Sequence, residues 1–353
     1  MVAHAQRNSR TRRGPSRATL AIAGWLAVAA ATLTPAGGDA STPAFGCVIC
    51  GPDGGIDAIA NVLLFVPLGA GLAIWRRRGR TALALVALTT LAVEVLQLRL
   101  VPGRDTSLGD LVWNIVGGAL AFAAVRHWRL LARPAPRAAA LLAAGWTALW
   151  GVGTVTTAWS LTPSLAPTIW VSHVGAPATA RGPVPRLAHA SLDELPLGTV
   201  RLSTRSALVR RRLLGGGVLA ASGVVPGARG VVNVVVLDDA ETSQIMAALV
   251  RTGDGLTYYQ RTRAAALRLR SPSVTLPAAF PTDGAPVSMR GVRDRSVLAV
   301  EGGAPGAAPR TAAVRLTPNW GWSLLLRPGL VTPRRAAWFS AIWVAALVAP
   351  LGF

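Results

Sequence analysis

The sequence predicts a membrane α-helical bundle of five or six spans joined to an extracytoplasmic all-β sandwich of jelly-roll type. Three observations predict it. The 353 residues are 52% hydrophobic and only 14% charged, where about 25% charged is usual for soluble domains. Apolar runs of roughly 20 residues, the length a helix needs to cross the hydrocarbon core, recur through the first half. From about Leu195 they give way to short alternating runs separated by turn signals. The net charge of +21 is carried by Arg alone, with no Lys. A basic nucleic-acid binder would add a recognition helix, a finger or an aromatic strand motif. None accompanies these Arg residues, so nucleic acid is not an expected partner.

The spans read as 18–34, 56–75, 81–98, 108–125, 138–160 and 336–353. The first follows a basic leader, 1–17. It lacks a clean A-x-A cleavage site and is expected to be a retained helix rather than a removed signal peptide. Short loops fix the orientation through the excess of positive charge on the cytoplasmic side. The leader, the loop around Arg76, Arg77, Arg78 and Arg80, and the loop from Arg126 to Arg137 together hold 13 Arg. The alternate loops, 35–55 and 99–107, hold two. The amino terminus is therefore expected in the cytoplasm of a multi-pass cell-membrane protein. The domain from 190 to 333 is then outside, reached by a Pro-rich linker, 161–189, and followed by a last helix, 334–353. That exported portion is itself basic, which long translocated domains tolerate.

Cys47 and Cys50 are the only cysteines. Two neighbouring thiols outside the cytoplasm are expected to form a structural disulfide. A redox role lacks the surrounding βαβ pattern. No metal or other cofactor is expected: His4, His127, His173 and His189 are scattered, and no further ligand stands at zinc spacing.

Ionisable groups inside spans are costly and each needs a reason. The second span holds Asp57 and Asn61, four apart and so on one helix face. The third holds Glu94 and Gln97, and the fourth Asp110 and Asn114. Arg104 and Asp105 lie in the loop between these last two. At 1.5 Å per residue, Asn61, Glu94 and Asn114 fall at a common level, roughly 6–9 Å below the outer interface. Gly69, Gly71, Gly117 and Gly118 invite close helix approach, and Pro67 is expected to bend the second span. Three readings stay open: a network that locks three helices, a binding site for a polar ligand or lipid headgroup, and acid–base chemistry. The last has no visible nucleophile–base constellation, and no catalytic residue is nominated.

These residues resemble the VanZ-like family of membrane proteins. Asn61-Val62-Leu63-Leu64-Phe65-Val66-Pro67-Leu68-Gly69 is similar to its first signature. Glu94-x-x-Gln97, Arg104-Asp105, Asp110 and Asn114-x-x-Gly117 are similar to its second. The resemblance covers about 18–160 and implies a cell-envelope setting associated with resistance to the glycopeptide teicoplanin. It implies no reaction.

In the exported portion, strands are expected at 199–203, 231–237, 245–250, 266–270, 287–292, 296–300, 312–316 and 323–326, with turns such as Gly253-Asp254-Gly255 between them. Their order resembles laminin-G or concanavalin A-like jelly rolls, with Met289 to Gly302 as the hairpin and Asn319 to Leu324 as the closing strand. The resemblance implies carbohydrate binding, sometimes with calcium. The concentrated acids Asp238, Asp239, Glu241 and Asp254 show no calcium-site spacing. Trp320 and Trp322 would share one side of a strand, either stacking on a sugar or packing in a core or interfacial belt.

The leading functional expectation is an envelope protein that engages a cell-wall glycan or other polar ligand from outside, influencing sensitivity to glycopeptide antibiotics. A membrane enzyme or transporter acting on a lipid-linked precursor is the competing class, and a scaffold recruiting an envelope protein the third. Membrane lipids are expected partners throughout.

Overall fold

The computed structural model describes residues 17–33, 46–101, 107–176, 183–227, 230–281, 283–326 and 333–348. The chain divides into two compact units, Met1–Leu142 and Ala143–Phe353.

The first unit is helical: α1 (Arg17–Thr32), α2 (Gly54–Ile74), α3 (Gly79–Leu100), α4 (Leu108–Arg126) and the short α5 (Trp128–Ala132). A sixth helix, α6 (Pro136–Ser160), begins here and continues into the second unit. Among the described residues α2, α3, α4 and α6 are long and apolar enough to cross a membrane. The first helix is apolar but shorter. Phe65, Leu68, Leu72, Val86 and Val93 form the buried centre with Ala21 and Val28.

Between the helices, small residues set the distances. A Cβ on Gly117 would fall onto the Val62 carbonyl, and one on Gly69 onto the Gly118 carbonyl, so the α2 and α4 backbones touch. A Cβ on Gly71 would lie 2.7 Å from Ala21 Cα, and one on Gly24 2.8 Å from Leu68 Cα, so α1 meets α2 the same way. In a lipid medium, where apolar burial gives little drive, such contact is a main source of helix association.

The second unit is a sandwich of two antiparallel six-stranded sheets. Its elements are β1 (Trp170–Val174), β2 (Arg186–Leu192), β3 (Leu195–Pro196), β4 (Val200–Arg201), α7 (Ser206–Leu214), β5 (Leu219–Val224), β6 (Val231–Asp239), β7 (Ile245–Thr252), β8 (Gly255–Gln260), β9 (Ser273–Leu276), β10 (Val287–Asp294), β11 (Val297–Gly303) and β12 (Arg310–Arg315). A last helix, α8 (Pro333–Val348), closes the unit. One sheet runs β4-β1-β6-β7-β8-β9 and the other β12-β11-β10-β5-β2-β3. Alternate burial along β5 and β10 points one face of each strand into the core. Trp170, Tyr258, Met246, Met289 and Leu298 fill that core.

Three expectations change. Residues 161–189 are more than a linker, because the proline-free stretch Trp170–Val174 forms β1, and Leu161 and Leu165 enter the core. The alternating 266–270 is not a strand: Arg263–Leu267 is a 3₁₀ helix, stopped where Arg268 adopts φ 54°, a left-handed value outside the β region. The stretch Pro318–Leu324 is likewise a 3₁₀ helix rather than a closing strand, with Pro at its start.

One buried cation ties helix to sandwich. Arg293 of β10 is 4% exposed. Its Nη2 donates to Leu161 O, just past the end of α6, and its Nε to Arg295 O. Burial lowers its pKa to about 10.

Candidate functional site

The polar residues of the helical unit meet across three helix seams. Between α2 and α4, Asn61 Nδ2 donates to Asp110 Oδ1 at 2.5 Å. Ser107 holds the same carboxylate: as the N-cap of α4 its Oγ accepts from Asp110 N–H at 3.1 Å and donates to Asp110 Oδ2 at 2.9 Å. The positive end of the helix dipole favours a carboxylate in this first turn. Between α3 and α4, Asn114 Nδ2 donates to Thr90 Oγ1 at 2.8 Å. Between α1 and α3, Gln97 Nε2 donates to Thr32 O at 2.9 Å. A further bond runs from Trp25 Nε1 to Thr89 Oγ1 at 2.7 Å.

Glu94 lies on α3 between Thr90 and Gln97 and is half-buried, while Asp57, one turn before Asn61, is exposed. Arg104 and Asp105 lie outside the described residues. The structure thus brings Asn61 to Asp110, but pairs Asn114 and Gln97 with hydroxyl and carbonyl groups that sequence reasoning missed. Signals for two of these were present. Thr90 stands four residues before Glu94, on one face. Ser107-Leu108-Gly109-Asp110 has the spacing of a helix-capping box.

These bonds tie Asn61, Gln97, Asp110 and Asn114 into contacts within and between the helices. Asn114 is 2% exposed, and its Oδ1 has no hydrogen-bond partner among the described residues. An unsatisfied buried amide oxygen costs about 1–3 kcal/mol, so its retention points to a partner supplied from elsewhere.

Cys47 and Cys50 are joined by a disulfide, their Cα atoms 5.6 Å apart. The turn it closes rests on the start of α4. Cys47 O accepts from Gly109 N–H and Val48 O from Trp113 Nε1, each at 3.1 Å. The cross-link therefore stiffens the strap that covers the first turn of α4, next to Asp110.

A second site lies in the sandwich. The edge strands β9 and β12 flank a cleft of about 560 Å³. Ser273 and Thr275 line one side, Thr311 and Arg310 the other, with Trp320, Trp322 and Ser323 at the end. The Trp320 and Trp322 rings lie 4.8 Å apart. Trp322 is fixed by stacking on Phe339 at 5.3 Å and by donating from Nε1 to Ser340 Oγ at 2.9 Å. Trp320 is only partly buried. Ser323 Oγ is buried and has no partner among the described residues. The cleft therefore offers an aromatic surface and a row of hydroxyls, beside the Arg310 guanidinium, which donates to Ala278 O and Pro277 O; among the described residues no carboxylate lines it. Among the described residues no group of three or more His, Cys, Asp or Glu could hold a metal ion.

Residues 16–131 match the family model VanZ-LLP1, described as VanZ/LLP1. The match takes in all three polar seams. No curated protein and no solved structure matches the chain.

Proposed function

We propose that this chain, whose residues 16–131 match the VanZ/LLP1 family model, is an envelope protein that binds a cell-wall glycan through its sandwich and influences sensitivity to glycopeptide antibiotics. The observation that carries this reading is the cleft between β9 and β12. A sugar ring offers an apolar face to Trp320 and hydroxyls to Ser273, Thr275 and Thr311. Ser323 Oγ, without a partner among the described residues, suits a ligand hydroxyl, since a buried polar atom without a partner is costly. The distribution of Arg among the short loops supports a cytoplasmic amino terminus and a sandwich outside.

The test uses the full chain in detergent, incubated with insoluble peptidoglycan and with a soluble N-acetylglucosamine oligosaccharide. Wild type should co-sediment with the polymer and be competed off by the oligosaccharide. Trp320→Ala should weaken retention about tenfold, the scale of one lost aromatic contact, and Trp320→Phe should retain most of it. Absence of wild-type retention at every ionic strength rejects the proposal.

A second reading is favoured by Asn114 Oδ1. In it, the helical unit receives the polar headgroup of a lipid-linked precursor at the level of Asn61, Glu94 and Asn114, with Arg104 and Asp105, between α3 and α4 in sequence, contributing. Glu94→Gln and Arg104→Gln should then insert normally yet fail to restore glycopeptide sensitivity and precursor pools in a deletion strain. Degraded or misassembled variants would assign these residues to helix locking instead.

A further inference from the structure

At the end of the helical unit remote from Asp110, α2 stops at Ile74 and α4 at Arg126. The chain there turns sharply: Arg76 has φ 59°, and Arg76 and Arg77 return their amides to Ala73 O and Leu72 O. After α4, His127 caps the helix and α5 follows directly. These ends enclose a cleft of about 510 Å³. Arg76, Arg126, Arg129 and His127 line it, and among the described residues no carboxylate does.

Cations near a helix C-terminus often serve its orphan carbonyls. Here backbone amides already take several of them: Gly71 O, Leu72 O and Ala73 O at the end of α2, and Ala123 O at the end of α4. Among the described residues, the side chains of Arg76, Arg126 and Arg129 make no hydrogen bond or ion pair. Arg77, by contrast, stands outside the cleft and is occupied, its guanidinium 3.6 Å from the Trp75 ring centroid. Three guanidiniums line one cleft with no counter-charge among the described lining residues, an arrangement that suits an anion accepting bidentate hydrogen bonds.

The walls say which anion. Ala73, Ile74 and Val125 supply an apolar floor on span-length helices. Trp128 is 54% exposed and Leu130 63% exposed, both on the short α5. Tryptophan and arginine beside the end of a span mark the level of lipid headgroups. A free phosphate would use the cations and leave the apolar wall bare, whereas an amphiphile uses both.

We infer that the cleft between the ends of α2 and α4 binds the phosphate headgroup of an anionic phospholipid. Arg76, Arg126 and Arg129 hold the phosphate, and Ile74, Val125 and Trp128 contact the glycerol and upper acyl region. The site is independent of any glycan bound by the sandwich and of the side of the membrane on which it lies.

The test is native mass spectrometry of the full chain in detergent, titrated with phosphatidylglycerol or phosphatidylcholine. Phosphatidylglycerol should be retained preferentially. At about one Arg-equivalent of attraction each, loss of two cations in Arg126→Gln/Arg129→Gln should weaken that retention about thirtyfold. Arg133→Gln, outside the cleft, should leave it unchanged. The Arg126→Lys/Arg129→Lys variant keeps the charge but not the bidentate fork and should retain part of the preference, well above the Gln variant, separating lost binding from a misfolded bundle. Equal retention of the two lipids by wild type, or an unaffected Gln variant, overturns the assignment. Millimolar inorganic phosphate that displaces phosphatidylglycerol and protects the protein by itself would reassign the site to free phosphate, which also overturns it.

Discussion

Gly117→Leu should disrupt the helical unit, whereas Gly153→Leu should leave the chain folded. Both glycines lie in span-length helices, and both changes raise intrinsic helix propensity. They differ in what the new side chain meets. At Gly117 even a Cβ would fall onto Val62 O, and at Gly153 nothing lies within 4 Å. The obstacle at Gly117 is backbone, which cannot swing aside as a flexible side chain does, so α2 and α4 must separate. Separation also pulls Asn61 from Asp110, since both are carried by this pair of helices. The expected cost is about 3 kcal/mol, the upper range for overpacking. It would appear as a lower thermal midpoint in detergent and faster proteolysis of the α2–α4 region. Equal midpoints for the two variants would mean that the helices do not approach this closely.

The glycine seams show why much of the helical unit was legible in the sequence. Four spans rest on apolar runs that only a membrane or a deep core accommodates, and the glycines needed for close approach stand beside the polar residues. The hydroxyl partners were harder to see. A threonine in a membrane helix can satisfy itself on its own backbone, as Thr32 does on Val28 O and Thr89 on Leu85 O. Its presence alone therefore does not announce a contact between helices. Asn61 and Asp110 stood out as polar residues inside spans, where such groups are costly, although Asp110 also has a local partner in Ser107.

In the sandwich, periodicity misled wherever a short 3₁₀ helix imitated a strand. Leu267-Arg268-Leu269-Arg270 alternates in composition, but alternation records which side chains are apolar and not the backbone angle that Arg268 adopts. Around Trp320 and Trp322 the same error left a useful residue of truth. The two rings do meet, at 4.8 Å, although a 3₁₀ turn and not a strand brings them together. The strands β5, β8 and β9 escaped notice for the opposite reason. Gly255 and the small residues of Leu219–Val224 dilute the apolar signal, and tertiary packing supplies what local sequence lacks.

Asp239→Ala should destabilise the sandwich by about 3 kcal/mol, and the wild-type domain should lose stability in acid through this same residue. Asp239 ends β6 and is 3% exposed. One carboxylate oxygen accepts from the Thr168 hydroxyl. The other accepts from Glu241 N–H at 2.9 Å, Thr242 N–H at 2.7 Å and Thr242 Oγ at 3.0 Å. Thr168 belongs to the stretch before β1, so this one side chain fastens that stretch to the turn between β6 and β7. Hydrogen bonds to a charged acceptor contribute about 1.5–3 kcal/mol, and truncation strands several buried donors together. The Thr168 hydroxyl, followed by the Thr242 amide, lowers the Asp239 pKa from 3.8 to about 2, against the opposing effect of burial. A depressed carboxylate pKa stabilises the folded state above the unfolded value. That contribution is lost as pH falls from about 3.8 through about 2. Urea unfolding of the full chain in detergent, followed between pH 5 and 2, should therefore show wild type converging on Asp239→Asn as the pH drops. A difference between the two that stays constant across this window would show that the charge of Asp239 contributes nothing, and that its neutral hydrogen bonds alone hold β1 in place.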